Sequence, residues 1–217
     1  MSRRKTIDFG DLRRFEPFSV NYGYDRGTPL DRYYIERFFR QHRRDIRGRV
    51  LEIEQALYSR WFGKPSEVDV LHVVEGSAGA TIIADLTDAP QIESNAYDCI
   101  VLPQTLQYIF DVRAAIGTLR RILKPRGVLL TTMPGLSRTS DFEWSDSWYW
   151  NFTSRSARRL FAEEFGARNV RVEGHGNLFI AAAFLYGAVC EEVTKRELDR
   201  ADHGFEISIT VRAVKRR

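Results

Sequence analysis

The sequence predicts an α/β protein built on an open, mostly parallel sheet of seven strands, with one antiparallel strand and helices on both faces. Two observations carry this. Seven short β-type runs, at 50–53, 68–74, 80–84, 97–102, 128–133, 170–173 and 205–214, alternate with helical patterns. Several of them are continuous in Val, Ile and Leu rather than alternating, as in strands covered on both faces.

Each element has a local reason. Ile35, Phe38, Phe39 and His42 make one amphipathic helical face ahead of the sheet, after the turn-rich stretch 22–29. Val112, Ala115, Ile116, Leu119, Ile122 and Leu123 recur at helical spacing and stop at Lys124-Pro125, where proline ends the helix. Thr153 is an N-cap for a helix with apolar face Ala157, Leu160, Phe161 and Phe165, and Gly166 is its stop. The last run alternates Ile207, Ile209, Val211, which suits the antiparallel strand. The organisation expected is one domain, 1–217, with 1–46 as an N-terminal arm capping the sheet.

Composition narrows the classes. The 217 residues are 43% hydrophobic, enough for an ordinary core, and 33 Lys+Arg against 29 Asp+Glu leave a charge of only +4. Arginines cluster at Arg40, Arg43, Arg44, Arg47 and Arg49, read as a solvated face, so a nucleic-acid partner is not expected. Cys99 and Cys190 lie in apolar segments without metal-ligand spacing, and no grouping of acids and histidines suggests a metal. The basic start runs into Ile7-Asp8-Phe9, and the longest apolar run, 178–190, falls short of the roughly 18 residues that span a bilayer. A soluble, cytoplasmic protein with no membrane partner is expected.

In open sheets ligands bind beyond the carboxyl ends of the strands, where strand order reverses. The residues at those ends are 52–58, 75–76, 85–87, 103–106 and 134–135. The first group opens as a nucleotide-cofactor strand, Arg49-Val50-Leu51-Glu52-Ile53, but Glu54, Ala56 and Tyr58 stand where glycines would be expected. A pyrophosphate resting on a helix N-terminus needs those glycines, which makes a nicotinamide enzyme a poor reading.

Three stretches resemble a family: "LRRILKPRGVLLTTMP" at 119–134, "YDCIVLPQTLQYIFD" at 97–111 and "ADLTDAP" at 84–90. Together they are similar to class I S-adenosylmethionine-dependent methyltransferases of the small, type 11 kind, with Arg126 replacing one glycine. The resemblance implies a Rossmann-like sheet whose last strand inserts between its neighbours, and S-adenosylmethionine as cofactor. It implies Glu52 near the positive end of the methionine moiety, Glu75 as acceptor for the ribose hydroxyls, and Asp85 with Leu86 at the adenine. Gln104 and Thr105 would line the methyl-transfer channel. Glu54 joins the cofactor site with its direction open: toward the cofactor carboxylate it repels, toward the sulfonium or amino group it attracts. "RGTPLDRYYIERFF" and "DSWYWNFTSRSARRLF" look like a subgroup found beside glycosyltransferases, which suggests a hydroxyl acceptor on a small molecule or glycan. Candidates for a base are His175, in the turn Gly174-His175-Gly176, and the segment from Asp141 to Trp150 with its aromatic rings and Asp146. The alternative is a catalytically silent module of the same fold that partners a glycosyltransferase.

Overall fold

A computed structural model describes residues 8–139 and 145–216. Along the chain run α1 (Leu30–Gln41), β1 (Arg47–Ile53), α2 (Tyr58–Phe62), β2 (Lys64–His72), β3 (Ile82–Ile83) and β4 (Tyr97–Pro103). There follow α3 (Val112–Ile122), β5 (Leu123–Pro134), α4 (Ser154–Phe165), β6 (Val170–His175), α5 (Leu178–Leu185), α6 (Lys195–Asp199) and β7 (Ser208–Val214). The strands form one sheet in the order β3-β2-β1-β4-β5-β7-β6. Strands β1 to β5 pair in parallel, and β7 inserts between β5 and β6, antiparallel to both. This is the expected Rossmann-like architecture, including the inserted last strand.

The continuous apolar strands divide their side chains between two cores, because successive residues point to opposite faces. Leu51, Ile100, Leu102 and Leu129 face α3 and α4, meeting Ile116, Leu119 and Phe161. Val50, Cys99, Val101, Val128 and Leu130 face the other way, onto Ile35, Phe38 and Phe39 of α1 and Tyr58 of α2. A third cluster joins Leu30 and Tyr34 of α1 to Ile180 and Phe184 of α5, Leu198 of α6 and Ile207. The apolar run at 178–190 thus begins as a helix packed on α1, and no helix among the described residues is long and apolar enough to cross a membrane.

Local signals placed the helices well. Thr153 caps α4 by accepting from the Ser156 amide, Asp111 caps α3 from Ala114, and Gly166 ends α4 at φ 81°. The strands differ in extent. β2 stops at His72, because the His72 ring Nδ1 accepts from the Val74 amide at 3.0 Å and turns the chain; Val73 and Val74, read as strand, are half exposed. β3 shrinks to two residues, and β7 begins only at Ser208.

The N-terminal arm is bound to the far end of the chain. Thr28 donates through its amide and hydroxyl to Glu191, Arg26 pairs with Glu192, and Pro29 forms a β-bridge with Val189. Gly23, at φ 95°, approaches Val189 so closely that a Cβ would lie 2.7 Å from its side chain. At the end of α1, Arg212 of β7 donates two hydrogen bonds to Asp45, at 2.8 and 3.1 Å.

Candidate functional site

The order of strands reverses between β1 and β4, and the crevice above their carboxyl ends is the candidate site. The turn leaving β1 is tight. Glu54 donates its amide to Leu71 O, Gln55 to Ile53 O and Leu57 to Gln55 O. Glu54 takes φ 68°, a left-handed conformation that favours glycine, whereas Ala56 and Tyr58 do not. Only one of the three replaced glycines therefore sits where the backbone calls for one. The Glu54 side chain is exposed.

Glu52 is fully buried, and its contacts come from its own chain. Oε1 accepts from the amides of Leu57 at 3.2 Å and Tyr58 at 2.8 Å, while Oε2 accepts from the Ser59 amide at 2.9 Å and from the Ser59 hydroxyl. The carboxylate thus caps α2 and fixes the turn. Burial pushes its pKa up to about 7, against the pull of these donors. Its observed work is to hold the loop.

Glu75 lies in an exposed turn three residues beyond β2, and His72 occupies the strand end where the acid was expected. Asp85 follows β3 with an exposed carboxylate whose Oδ1 accepts from both the amide and the hydroxyl of Thr87, each at 2.8 Å. Leu86 beside it is buried. At β4, Gln104 takes φ 42° and donates its amide to Thr132 O at 2.9 Å; the Thr105 hydroxyl donates to Pro103 O. Gln107 is buried, donates to Gln104 O at 2.8 Å, and leaves its own Oε1 without a partner among the described residues.

Two features were not legible in the sequence. The first is an aromatic wall beside the β4 end, where Tyr22 of the arm stacks on Trp148 at 6.4 Å and Tyr108 meets the same indole edge-on at 5.4 Å. The second is Arg32, at the start of α1. Its Nε donates to the Tyr24 hydroxyl at 2.8 Å, and its guanidinium lies 5.7 Å from the Tyr24 ring and 5.5 Å from the Tyr58 ring. Tyr22 and Arg32 come from the arm, whose placement depends on distant contacts. Tyr22 and Tyr24 in a turn-rich stretch, followed by Arg32 in α1, were the available signal.

His175 does not join this group. It ends β6, three strands from β4, or about 14 Å at the usual strand spacing. Its Nε2 shares a hydrogen bond with the Thr210 hydroxyl at 2.9 Å and its ring stacks on Tyr34 at 5.3 Å, beside a cavity of about 340 Å³. Burial lowers its pKa. Asp141, Phe142 and Trp144 lie outside the described residues. Among the described residues no His, Cys, Asp or Glu gather as a metal site, and Cys99 and Cys190 are free thiols.

Residues 65–131 match a family model described as a methyltransferase domain. No curated protein matches the chain. Among solved structures, the fold is similar to that of YcgJ from Bacillus subtilis, at TM-score 0.55 and 15% identity over 85% of this chain and 99% of that one. An S-adenosylmethionine-dependent methyltransferase from Mesorhizobium loti gives TM-score 0.55 and 15% identity over 86% and 100%. Phosphoethanolamine N-methyltransferase 2 of Haemonchus contortus, in complex with S-adenosylmethionine, gives TM-score 0.53 and 17% identity over 96% of this chain and 55% of that one.

Proposed function

We propose that this chain binds S-adenosylmethionine above the β1 and β4 ends and transfers its methyl group to a hydroxyl of a small molecule or glycan. The observation that carries the reading is the reversal of strand order at β1 and β4 within the segment 65–131 that matches a methyltransferase domain and its flanking β1. The residues present fit the cofactor. Exposed carboxylates at Glu75 and Asp85 suit the ribose hydroxyls and the adenine amino group. Glu54, though charged, keeps the left-handed backbone and stays in solvent, so it does not fill the crevice.

When bound, the cofactor supplies an electrophilic methyl on a positive sulfur. The protein's part is alignment and exclusion of water. Gln104 and Thr105 flank the β4 end, and the wall of Tyr22, Tyr108 and Trp148 offers flat faces for a sugar-like acceptor. His175 ends β6, three strands from the β4 end, so this reading assigns it no part in proton transfer.

The test is calorimetric titration of the purified protein with S-adenosylhomocysteine, beside Glu75→Ala. Loss of an acceptor for two hydroxyls removes about 1.5–3 kcal/mol, a tenfold or greater loss of affinity. Absence of binding at millimolar ligand refutes the cofactor reading. One observation favours a second reading, a silent module that partners a glycosyltransferase: Glu52 is saturated by its own helix cap. Absence of S-adenosylhomocysteine binding favours that module, and methyl transfer to an acceptor decides against it.

A further inference from the structure

The eight residues of α5 carry no polar side chain, and a helix that is apolar all round has to be covered on every side. Among the described residues only one side is covered. Ile180, Ala181 and Phe184 are buried against α1 and α6, whereas Leu178, Phe179 and Leu185 are 61%, 52% and 43% exposed. Leu178 and Leu185 stand seven residues apart and so share one face of the helix. The arm prolongs that face. The Phe18 ring lies 6.1 Å from the Tyr186 ring just past α5, the Phe18 amide donates to Tyr186 O at 2.8 Å, and the Tyr186 hydroxyl donates to Leu12 O at 2.6 Å. Phe9, Leu12, Phe15 and Phe18 recur at every third residue, and all four are exposed, Phe15 wholly so. With Val20 and the α5 side chains they present on the order of 800 Å² of surface, more than the roughly 300–600 Å² of the largest apolar patch on a typical monomer and about what a standard interface takes from each partner.

The charges point to what covers this strip. Between Phe9 and Phe18 stand two acids, Asp11 and Glu16, and two arginines, Arg13 and Arg14. The arginines lie over the rings of Phe9 and Phe18, at 5.8 and 4.2 Å, and none of the four charges forms an ion pair among the described residues. A stretch without net charge offers no attraction to an anionic lipid surface or a nucleic acid. It is, however, complementary to itself. A two-fold axis at Phe15 sets Arg14 of each copy opposite Glu16 of the other, and Leu12 opposite Phe18. We propose that this strip is the interface of a two-fold homodimer, with Phe15 and the outer face of α5 as its apolar centre and the Arg14–Glu16 pairs on either side of the axis.

The test is sedimentation velocity of the purified full chain at micromolar concentrations, with circular dichroism as a check on folding. The wild type is expected to sediment as a dimer. Phe15→Ser and Leu178→Ser are each expected to weaken dimerisation about tenfold or more while leaving the fold intact. Arg14→Glu and Glu16→Arg each set like charges across the axis and are expected to weaken it by a similar factor alone, yet to form a mixed dimer when combined. A monomeric wild type overturns the proposal, and a monomer that binds vesicles of phosphatidylcholine and phosphatidylserine assigns the strip to a lipid surface instead. A dimer whose affinity is unchanged in Phe15→Ser and Leu178→Ser has its interface elsewhere, which also overturns it. Failure of the Arg14→Glu and Glu16→Arg chains to associate with each other more tightly than with themselves overturns the two-fold arrangement.

Discussion

Glu54 and Arg126 stand at opposite ends of the sheet and share one backbone conformation, φ 68° and 70°. Both occupy positions where the resembled family carries glycine. The chain has kept the left-handed turn and changed the residue, a strain of about 1–2 kcal/mol for an ordinary side chain. Arg126 anchors its turn through its amide, which donates to Lys215 O at 2.8 Å, and that bond survives loss of the side chain. Arg126→Gly relieves the strain but loosens the unfolded chain by about 0.5–1 kcal/mol. The net expectation is a gain of about 0.5–1 kcal/mol, or a melting temperature higher by about 1–4 °C. A lower melting temperature contradicts this account.

Above its pKa of about 7 Glu52 is an acceptor-only carboxylate, and there Glu52→Gln replaces it with a group that offers an amide NH₂ to donors. At least one of the amides of Leu57, Tyr58 and Ser59 then loses its acceptor in a buried place. The expected cost is about 1–3 kcal/mol. Urea denaturation is the measurement, and an unchanged midpoint removes Glu52 as the cap of α2.

The Asp45–Arg212 pair predicts a pH dependence. Burial alone raises the Asp45 pKa, but the neighbouring His42 and Arg212 outweigh it and hold the carboxyl well below the usual range. A depressed folded pKa gives stability that is present above the unfolded value of about 3.9 and is lost as pH falls toward the folded value. Asp45→Asn should lower the urea midpoint at pH 7, and the gap to wild type should narrow as pH falls from 5 to 3. A gap independent of pH means that the ion pair contributes nothing.

Trp148→Ala removes the ring on which Tyr22 stacks and Tyr108 abuts. Backbone amides at 21–27 should then exchange with deuterium faster, while those of β4 and β5 are unchanged. Equal protection in both proteins shows that the arm's other bonds, among them those of Thr28, Arg26, Phe18 and Val20, fix it without the ring stack.

Fold and site were not equally legible in the sequence. The apolar runs of Val50–Leu51 and Val128–Leu130 marked strands covered twice, and Thr153 and Gly166 bounded α4, because those signals are local. The end of β2 was misread, since a side-chain bond at His72 overrode two valines. In the site, Glu52 was legible as a strand-end acid, but not the cap it forms, which needs the three-dimensional path of residues 54–59. Arg32 and the ring pair Tyr22–Trp148 were hidden for the same reason, being brought to the crevice by an arm anchored on Glu191 and Glu192.

The insertion of β7 imposes an order of events on folding. β6 has no neighbour in the sheet except β7, and β5 has none on that side. Until residues 208–214 arrive, two strand edges have no partner and the core that Ile209 and Val211 complete stays open, although everything needed for the crevice at β1 and β4 has already been synthesised. Unpaired edges of this kind recruit strands from other chains. A chain stopped before Ser208 should therefore be lost to aggregation rather than persist as a smaller binding domain, and rapid docking of the last strand becomes a condition for the protein's yield in the cell.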